Sequence, residues 1–341
     1  SKLKRTVTVL NDSGVDRTVE LRWRLAPVAG KAWEAKGRQA VRMATAGRKR
    51  VTVTISVPAT QAAVTPARLA VELWEGGQRL FSESQGWKVF GRRGLSGRVP
   101  HSPIRVAVYD PRGHTTRLLG QMGIASLPVN PDRPQAALGQ VRVAIIGKDA
   151  LAPRAAGRVV VGRADSFHEH LLSFAQGGGV VIVFEQRNYP GSLIPLSLSR
   201  HDSTIAFPRD LGHPILSGLE AADLTHWLPD GIVGRREMVK PTWGGFRPLV
   251  DSGGPRGLET AGLAEVRVGK GRMVLCQLEV TPKFGLDPVA TKLVRNILAY
   301  AGTRAWAPQA TGVICDDAAA QKLSGIGLHY QRLAAPLSGD K

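Results

Sequence analysis

The chain has 341 residues, of which 43% are hydrophobic and 21% charged, values typical of a folded protein with two or three domains. Its net charge is +19, and residues 1–100 hold 19 Lys and Arg against 7 Asp and Glu. No zinc-finger, RNA-recognition or helix-turn-helix signature accompanies the charge, so we expect no nucleic-acid partner. No apolar run approaches the roughly 18 residues that span a bilayer, so we expect no membrane segment.

Residues 1–91 carry the pattern of an all-β domain. In residues 17–25 (RTVELRWRL) apolar and polar side chains alternate, which is the period of a half-buried strand. About seven such short runs follow one another, separated by turn-forming residues. This number of strands predicts an immunoglobulin-like β-sandwich. Residues 92–103 (RRGLSGRVPHSP) are rich in Gly, Arg, Ser and Pro and are predicted to be a linker.

Residues 104–303 alternate between predicted strands and helices, which indicates an α/β domain with a mostly parallel sheet. Strands are predicted at 104–109, 124–129, 141–146 and 180–184, with a hairpin over 264–278 and helices at 165–176 and 288–300. Residues 304–341 form a tail. Its pattern over 311–327 repeats the strand, Asp and helix of 104–124, so the tail is predicted to begin a further α/β unit.

The segment FAQGGGVVIVFEQ, residues 174–186, contains the strongest site signal. Its strand delivers Glu185 and Gln186 to the carboxyl edge of the sheet, where α/β proteins bind ligands. No Ser or Cys nucleophile occupies that edge. Glu185 could act as a general base only if burial raised its pKa; a hydrogen-bonding loop residue is the commoner role. We therefore predict no catalytic residue at this edge, and keep both residues as ligand-edge candidates.

No cofactor or metal site is expected. The glycine run at 177–179 follows a helix and opens a strand, whereas a phosphate loop follows a strand and opens a helix. His168 and His170 stand two residues apart on a predicted helix, and metal ligands on one helix face are usually four apart. His226, Trp227 and Trp243 lie in predicted loops. They are further ligand-edge candidates because aromatic side chains stack on sugars, although they can equally anchor loops to the core.

Together, several stretches resemble a known family. Residues 106–110, 141–147, 172–185, 213–219 (HPILSGL) and 269–280 (GKGRMVLCQLEV) resemble the class I glutamine amidotransferase-like fold in its degenerate, trehalose-utilisation-type branch. In active members the corresponding strand ends in a nucleophilic Cys, where this chain has Glu185. The resemblance therefore implies a non-catalytic domain.

The whole order of segments resembles the C-terminal part of large bacterial family-2-type, β-galactosidase-like glycoside hydrolases. The resemblance implies that the catalytic TIM barrel lies upstream and supplies the carboxylates. It also implies an accessory role in supporting the barrel or an oligomer, and a secreted or periplasmic location if the enzyme degrades polysaccharides.

Two other functions stay open at this point. One is a carbohydrate-binding module that holds an acidic glycan with basic and aromatic surface residues. The other is a small hydrolase or amidotransferase that acts through Glu185 or Cys276.

Overall fold

The computed structural model describes residues 2–30, 32–60, 62–91, 104–151, 163–254, 257–303, 311–325 and 330–332. The chain divides into two compact units, Ser1–Gly302 and Thr303–Lys341. The predicted linker, 92–103, lies outside the described residues. No helix in the described ranges is long and apolar enough to cross a membrane.

Six antiparallel strands form the first part of unit one. They are β1 (Lys2–Leu10), β2 (Arg17–Pro27), β3 (Ala35–Met43), β4 (Arg48–Ser56), β5 (Val64–Glu75) and β6 (Gln78–Phe90). Strands β1 and β4 form a two-stranded sheet, and the other four pair in the order β3-β2-β5-β6. The described residues contain six strands where the sequence predicted about seven, and the last of them, β6, is 13 residues long.

The two sheets pack on a shared apolar core. Val9, Val51 and Val53 of the small sheet lie in one cluster with Val19 and Leu21 of the large sheet. Along β2 and β4, buried residues alternate with more exposed ones, as expected of strands with one face on a core. The alternation in the sequence thus reports directly which face of each strand is buried.

The α/β part of unit one follows. Its strands are β7 (Val106–Tyr109), β8 (Ser126–Pro128), β9 (Val143–Ile146), β10 (Val180–Val183), β11 (Ala206–Pro208), β12 (Met238–Val239), β13 (Phe246–Gly254), β14 (Gly257–Val268) and β15 (Gly271–Cys276). Its helices are α1 (His114–Met122), α2 (Gln135–Leu138), α3 (Arg163–Gln176), α4 (Val280–Lys283) and α5 (Pro288–Gly302), with 3₁₀ turns at Pro214–Leu216 and Ala221–Leu224.

These nine strands form one mixed sheet. Strands β15, β10, β9, β7 and β8 are parallel neighbours. Beyond β15 the sheet continues through antiparallel pairings to β14, β13 and β11, with β12 also paired to β14. The predicted parallel order therefore holds for five strands, and the antiparallel extension makes the sheet mixed rather than mostly parallel.

The central strand β10 is buried on both faces. Val180, Ile182 and Phe184 join the apolar cluster on one side of the sheet, and Val181 and Val183 join the cluster on the other. A continuous apolar run, without polar alternation, is typical of a parallel strand covered on both faces.

The glycine run between α3 and β10 makes a close chain reversal. Gly178 has a φ of +108°, a conformation that side chains rarely adopt. A Cβ on Gly179 would lie 2.4 Å from the ring of Phe174. The glycines therefore end the helix and let its last aromatic side chain cover the start of the strand.

Contacts also join the sandwich to the α/β part within unit one. Lys88 on β6 donates to Asp223 at 2.8 Å and pairs with Glu220 at 3.0 Å. Burial lowers the pKa of Lys88, but the hydrogen bonds to Asp223 and Glu220 outweigh it and raise that pKa above its usual value. Phe90 and Ile104 pack against the apolar cluster of the α/β sheet.

The HPILSGL segment is bound to helix α5 by hydrogen bonds and a ring contact. His213 Nδ1 accepts a hydrogen bond from the Ile215 amide at 3.3 Å, and its ring lies 4.8 Å from that of Tyr300. Asn296 donates to the carbonyls of Ile215 and Ser217. Within the described part of the chain, this segment therefore has a structural role, in which its contacts hold it against α5.

Unit two contains β16 (Thr311–Val313), α6 (Asp317–Gly325) and β17 (Tyr330–Arg332), with β16 and β17 parallel. Asp316 Oδ1 accepts from the Ala319 amide at 2.7 Å, as the side chain of a helix N-cap residue does.

The close approach at Gly179 gives a first prediction. Gly179→Ala forces the Phe174 ring or the backbone to shift, so we expect a loss of about 1–3 kcal/mol in the free energy of unfolding. The matched control is Gly120→Ala on the exposed face of α1, where a Cβ meets nothing within 4 Å; it should be neutral or stabilise by up to about 1 kcal/mol. Thermal unfolding of both variants checks this, and equal melting temperatures would contradict it.

Candidate functional site

The carboxyl edge of the parallel strands brings together residues distant in sequence. Asp110 follows β7, Lys148 follows β9, Glu185 follows β10 and Glu279 follows β15. Because these strands are parallel neighbours, their following residues meet at one edge of the sheet, the usual place of α/β ligand sites.

Glu185 is buried at this edge, and both of its carboxylate oxygens accept hydrogen bonds. One carboxylate oxygen accepts from the Thr281 amide at 2.7 Å, and the other accepts from the Thr281 hydroxyl at 2.6 Å. Burial raises the pKa of Glu185 to about 7, against the lowering effects of Lys148 and of the hydrogen bonds from Thr281. A carboxyl group with this pKa can exchange a proton near neutrality, but both of its oxygens face Thr281.

Gln186 holds the backbone around the strand ends. Its Oε1 accepts from the Leu151 amide at 2.9 Å, and its Nε2 donates to the Gly147 and Phe184 carbonyls, each at 2.7 Å. Its own amide donates to Gln277 Oε1 at 2.6 Å. The side-chain amide of Gln186 therefore satisfies three backbone groups and points at no open site.

Cys276, at the end of β15, is a buried free thiol. Its Sγ lies 3.9 Å from the Leu278 carbonyl. Burial and the neighbouring charge of Glu185 raise the pKa of the thiol well above its ordinary value. Because the thiolate is the reactive form of cysteine, this environment makes Cys276 a poor nucleophile.

An ion-pair network surrounds the edge. Lys148 Nζ lies 3.5 Å from Glu279 Oε1, and Arg235 contacts Glu279, Asp202 and Asp230. In the ranges that the structure describes, no group of three or more His, Cys, Asp or Glu residues could hold a metal ion. The charged side chains at this edge thus bind mainly one another.

A cleft of about 320 Å³ opens beside Thr281. Its polar lining comes from His114, Arg117, Gln121, Lys148 and Thr281, and Phe284 and Leu118 contribute apolar surface. Glu185 lies behind Thr281 rather than in the lining. The cleft can therefore hold a small polar molecule, but its lining in the described residues includes no carboxylate, thiol or serine.

The other three candidates lie in different surroundings. Trp227 is 1% exposed and belongs to the apolar core, with its Nε1 donating to the Asp223 carbonyl at 2.9 Å. Trp243 is half-buried and packs edge-on against Phe246 at 5.9 Å. His226 has a φ of +50° and is more open to solvent than Trp227. Trp227 thus anchors its loop, as the alternative role for loop aromatics predicted.

Sequence reasoning did not find the residues that decide the chemistry of this edge. Thr281 lies on the one-turn helix α4, which has no detectable periodicity. Lys148 and Glu279 each follow an apolar strand, and charged residues in that position are the signal that could have identified them. Lys148 and Glu279 are 131 positions apart in the sequence, so their pairing can be predicted only when the order of the strands is known.

No protein-family model matches the sequence, and a search of curated proteins also found no match. Among solved structures, a GMP synthase protein from Thermoplasma acidophilum is 10% identical, with a TM-score of 0.40 over 59% of this chain and 95% of its own. The β-galactosidases of Rahnella sp. R3 and Bacillus circulans sp. alkalophilus are 15% and 13% identical, with TM-scores of 0.37 and 0.36. The aligned part covers 60% and 59% of this chain and only 32% and 31% of those enzymes.

The buried Glu185 gives a second prediction. Its folded-state pKa of about 7 lies above its ordinary value of 4.5, so the folded state binds the proton more tightly and stability falls as the pH rises between these values. Glu185→Gln removes the ionisation. We expect the stability of the variant relative to the wild type to increase by up to about 3 kcal/mol as the pH rises from 4.5 to 7, since each pKa unit corresponds to about 1.4 kcal/mol.

Melting temperatures at pH 5 and pH 8 measure this effect. The control is Glu83→Gln on the exposed strand β6, which should follow the wild type at both values. A wild-type protein that gains stability relative to Glu185→Gln between pH 5 and pH 8 would contradict the raised pKa.

Proposed function

We propose that this chain is a non-catalytic accessory region of a larger glycoside hydrolase. The observation that carries the proposal is that both carboxylate oxygens of Glu185, at the strand end where a nucleophile is expected, are bonded to Thr281. Gln186 is used in backbone bonds and the pKa of the Cys276 thiol is raised. These contacts favour a scaffold over the alternative of a hydrolase or amidotransferase acting through Glu185 or Cys276.

The assignment to a glycoside hydrolase rests on the resemblance of the sequence segments. It is compatible with the strand pairing in the first domain, residues 1–91. If β1 to β6 correspond to strands B, C, C′, E, F and G, the pairing of β1 with β4 and the order β3-β2-β5-β6 are those of an immunoglobulin-like sandwich. The second domain, residues 104–303, would be the amidotransferase-like part.

In this proposal the two domains support a catalytic TIM barrel or a homo-oligomer. The contacts of Lys88 with Asp223 and Glu220 favour a stiff connection between sandwich and α/β domain, as a supporting element needs. The barrel would supply the pair of carboxylates that glycoside hydrolysis requires.

The first test is the size of the native gene product. An antibody raised against this chain should detect, in the producing cells, a polypeptide large enough to contain a barrel besides these 341 residues. Detection of a product of only this length would overturn the proposal.

A second test is activity of the isolated chain. We expect no hydrolysis of p-nitrophenyl β-galactoside or β-mannoside above the buffer rate, because no described strand-end carboxylate faces the cleft. A rate that Glu185→Gln abolishes and Glu83→Gln preserves would show instead that the chain is itself the enzyme.

A further inference from the structure

The outward face of the two-stranded sheet has an unusual composition, which we call the hydroxyl-cation face. It consists of the side chains of β1 and β4 that point away from the core, and all of them are exposed. Its cations are Lys2, Lys4, Arg48 and Arg50. Its hydroxyls are Thr6, Thr8, Thr52, Thr54 and Ser56.

The strand register sets the order of these groups. Lys2 and Lys4 lie opposite Ser56 and Thr54 at one end, and Arg50 lies opposite Thr8 towards the other. Thr54 and Arg50 are four residues apart on β4, about 13 Å at roughly 3.3 Å per residue. The face is therefore a narrow strip with cations near both ends and hydroxyls between them.

Within the described residues, the cations on this face form no ion pairs. Neither an ion pair nor an acidic side chain occurs on the strip among the described residues. The outward face of the four-stranded sheet is a partial contrast, because most of its arginines are matched by carboxylates: Arg17 with Glu75, Arg22 with Glu20, Arg24 with Glu34 and Arg79 with Glu72. Arg42 and Arg68 on that sheet are exposed and form no ion pair within the described residues. A basic composition alone does not explain why most arginines of one face are paired and the described cations of the other are not.

We propose that the hydroxyl-cation face binds an acidic polysaccharide, a chain that carries sulfate or carboxylate groups among free hydroxyls. The unpaired cations attract the anionic groups, and the threonine hydroxyls both donate to and accept from sugar hydroxyls. This inference does not depend on the proposed accessory role.

Other polyanions fit the face less well. Single-stranded nucleic acid is held by aromatic stacking platforms as well as by cations, and no aromatic side chain belongs to the strip. A two-stranded ribbon reads a duplex by inserting into the major groove, whereas β1 and β4 are packed by their inner face on the core that they share with the large sheet. Insertion into a lipid surface uses a row of apolar side chains, and Leu10, at one end, is the only apolar member of this face.

The test measures binding of the whole chain to dextran sulfate and polygalacturonate by titration calorimetry, with neutral dextran and an oligothymidine as comparisons. We expect binding to an acidic polysaccharide that weakens with added NaCl, and none to neutral dextran. No binding to either acidic polysaccharide, or tighter binding to oligothymidine, would overturn the proposal.

Paired substitutions locate the site. Arg48→Gln/Arg50→Gln should weaken binding at least tenfold. The control Arg42→Gln/Arg68→Gln removes the same charge from exposed positions on the other sheet and should weaken it less than threefold. Equal losses in the two pairs would mean that net charge alone drives binding, and would overturn the assignment of this face.

A third pair tests the hydroxyls. Thr52→Val/Thr54→Val leaves the charge and the strand propensity intact and should weaken binding roughly threefold or more, as expected for lost hydrogen bonds. Unchanged affinity would contradict a role for the hydroxyl row. Melting curves of all variants confirm that the fold is retained.

Discussion

The arrangement of the α/β part of unit one depends on how the buried backbone at the carboxyl edge of its sheet is hydrogen-bonded. Backbone groups leaving parallel strands lose their ladder partners and still need hydrogen bonds when water is excluded. Here two glutamines supply them. Gln186 bridges Leu151, Gly147 and Phe184, and Gln277 accepts from the Gln186 amide and donates to its carbonyl and to that of Arg236. The side-chain amides of Gln186 and Gln277 thus connect the ends of β10 and β15 by hydrogen bonds.

This solution has a consequence for chemistry. A side chain that satisfies several backbone groups cannot also be aimed at a ligand, so Gln186 and Gln277 serve the fold. Glu185 is likewise used within the protein, because its two oxygens accept hydrogen bonds from the amide and the hydroxyl of Thr281. Its ionised form is nevertheless disfavoured by burial. The hydrogen bonding of Glu185 is therefore compatible with a structural role, in which the stability of the protein depends on pH.

The sequence predicted the elements whose signal is local. The apolar run of β10, the helix before it, the β14–β15 hairpin and helix α5 all carry strong patterns, and the structure contains them within a few residues, although β14 begins earlier than the predicted hairpin. Strands β11 and β12 were missed because three and two residues are too few to show a period. The antiparallel extension and the contact of Glu185 with Thr281 depend on strand order, which no local pattern contains. Trp227 and Trp243 show the related problem that a loop aromatic does not reveal its own burial.

The distribution of charge over the two β-sheets of residues 2–90 also depends on the arrangement of residues and not only on their composition. A surplus of basic residues in the first 100 positions does not distinguish a solvated surface from a binding surface. Register does, because it decides which cations meet carboxylates across the strands. On the large sheet Arg38 of β3 lies 3.7 Å from Glu20 of the neighbouring strand β2, so its charge is balanced within the protein. On the small sheet Arg50 lies opposite Thr8, and its charge stays available to an external anion. Both faces carry arginines, and within the described residues most of those on the large sheet meet carboxylates, whereas those on the small sheet meet none.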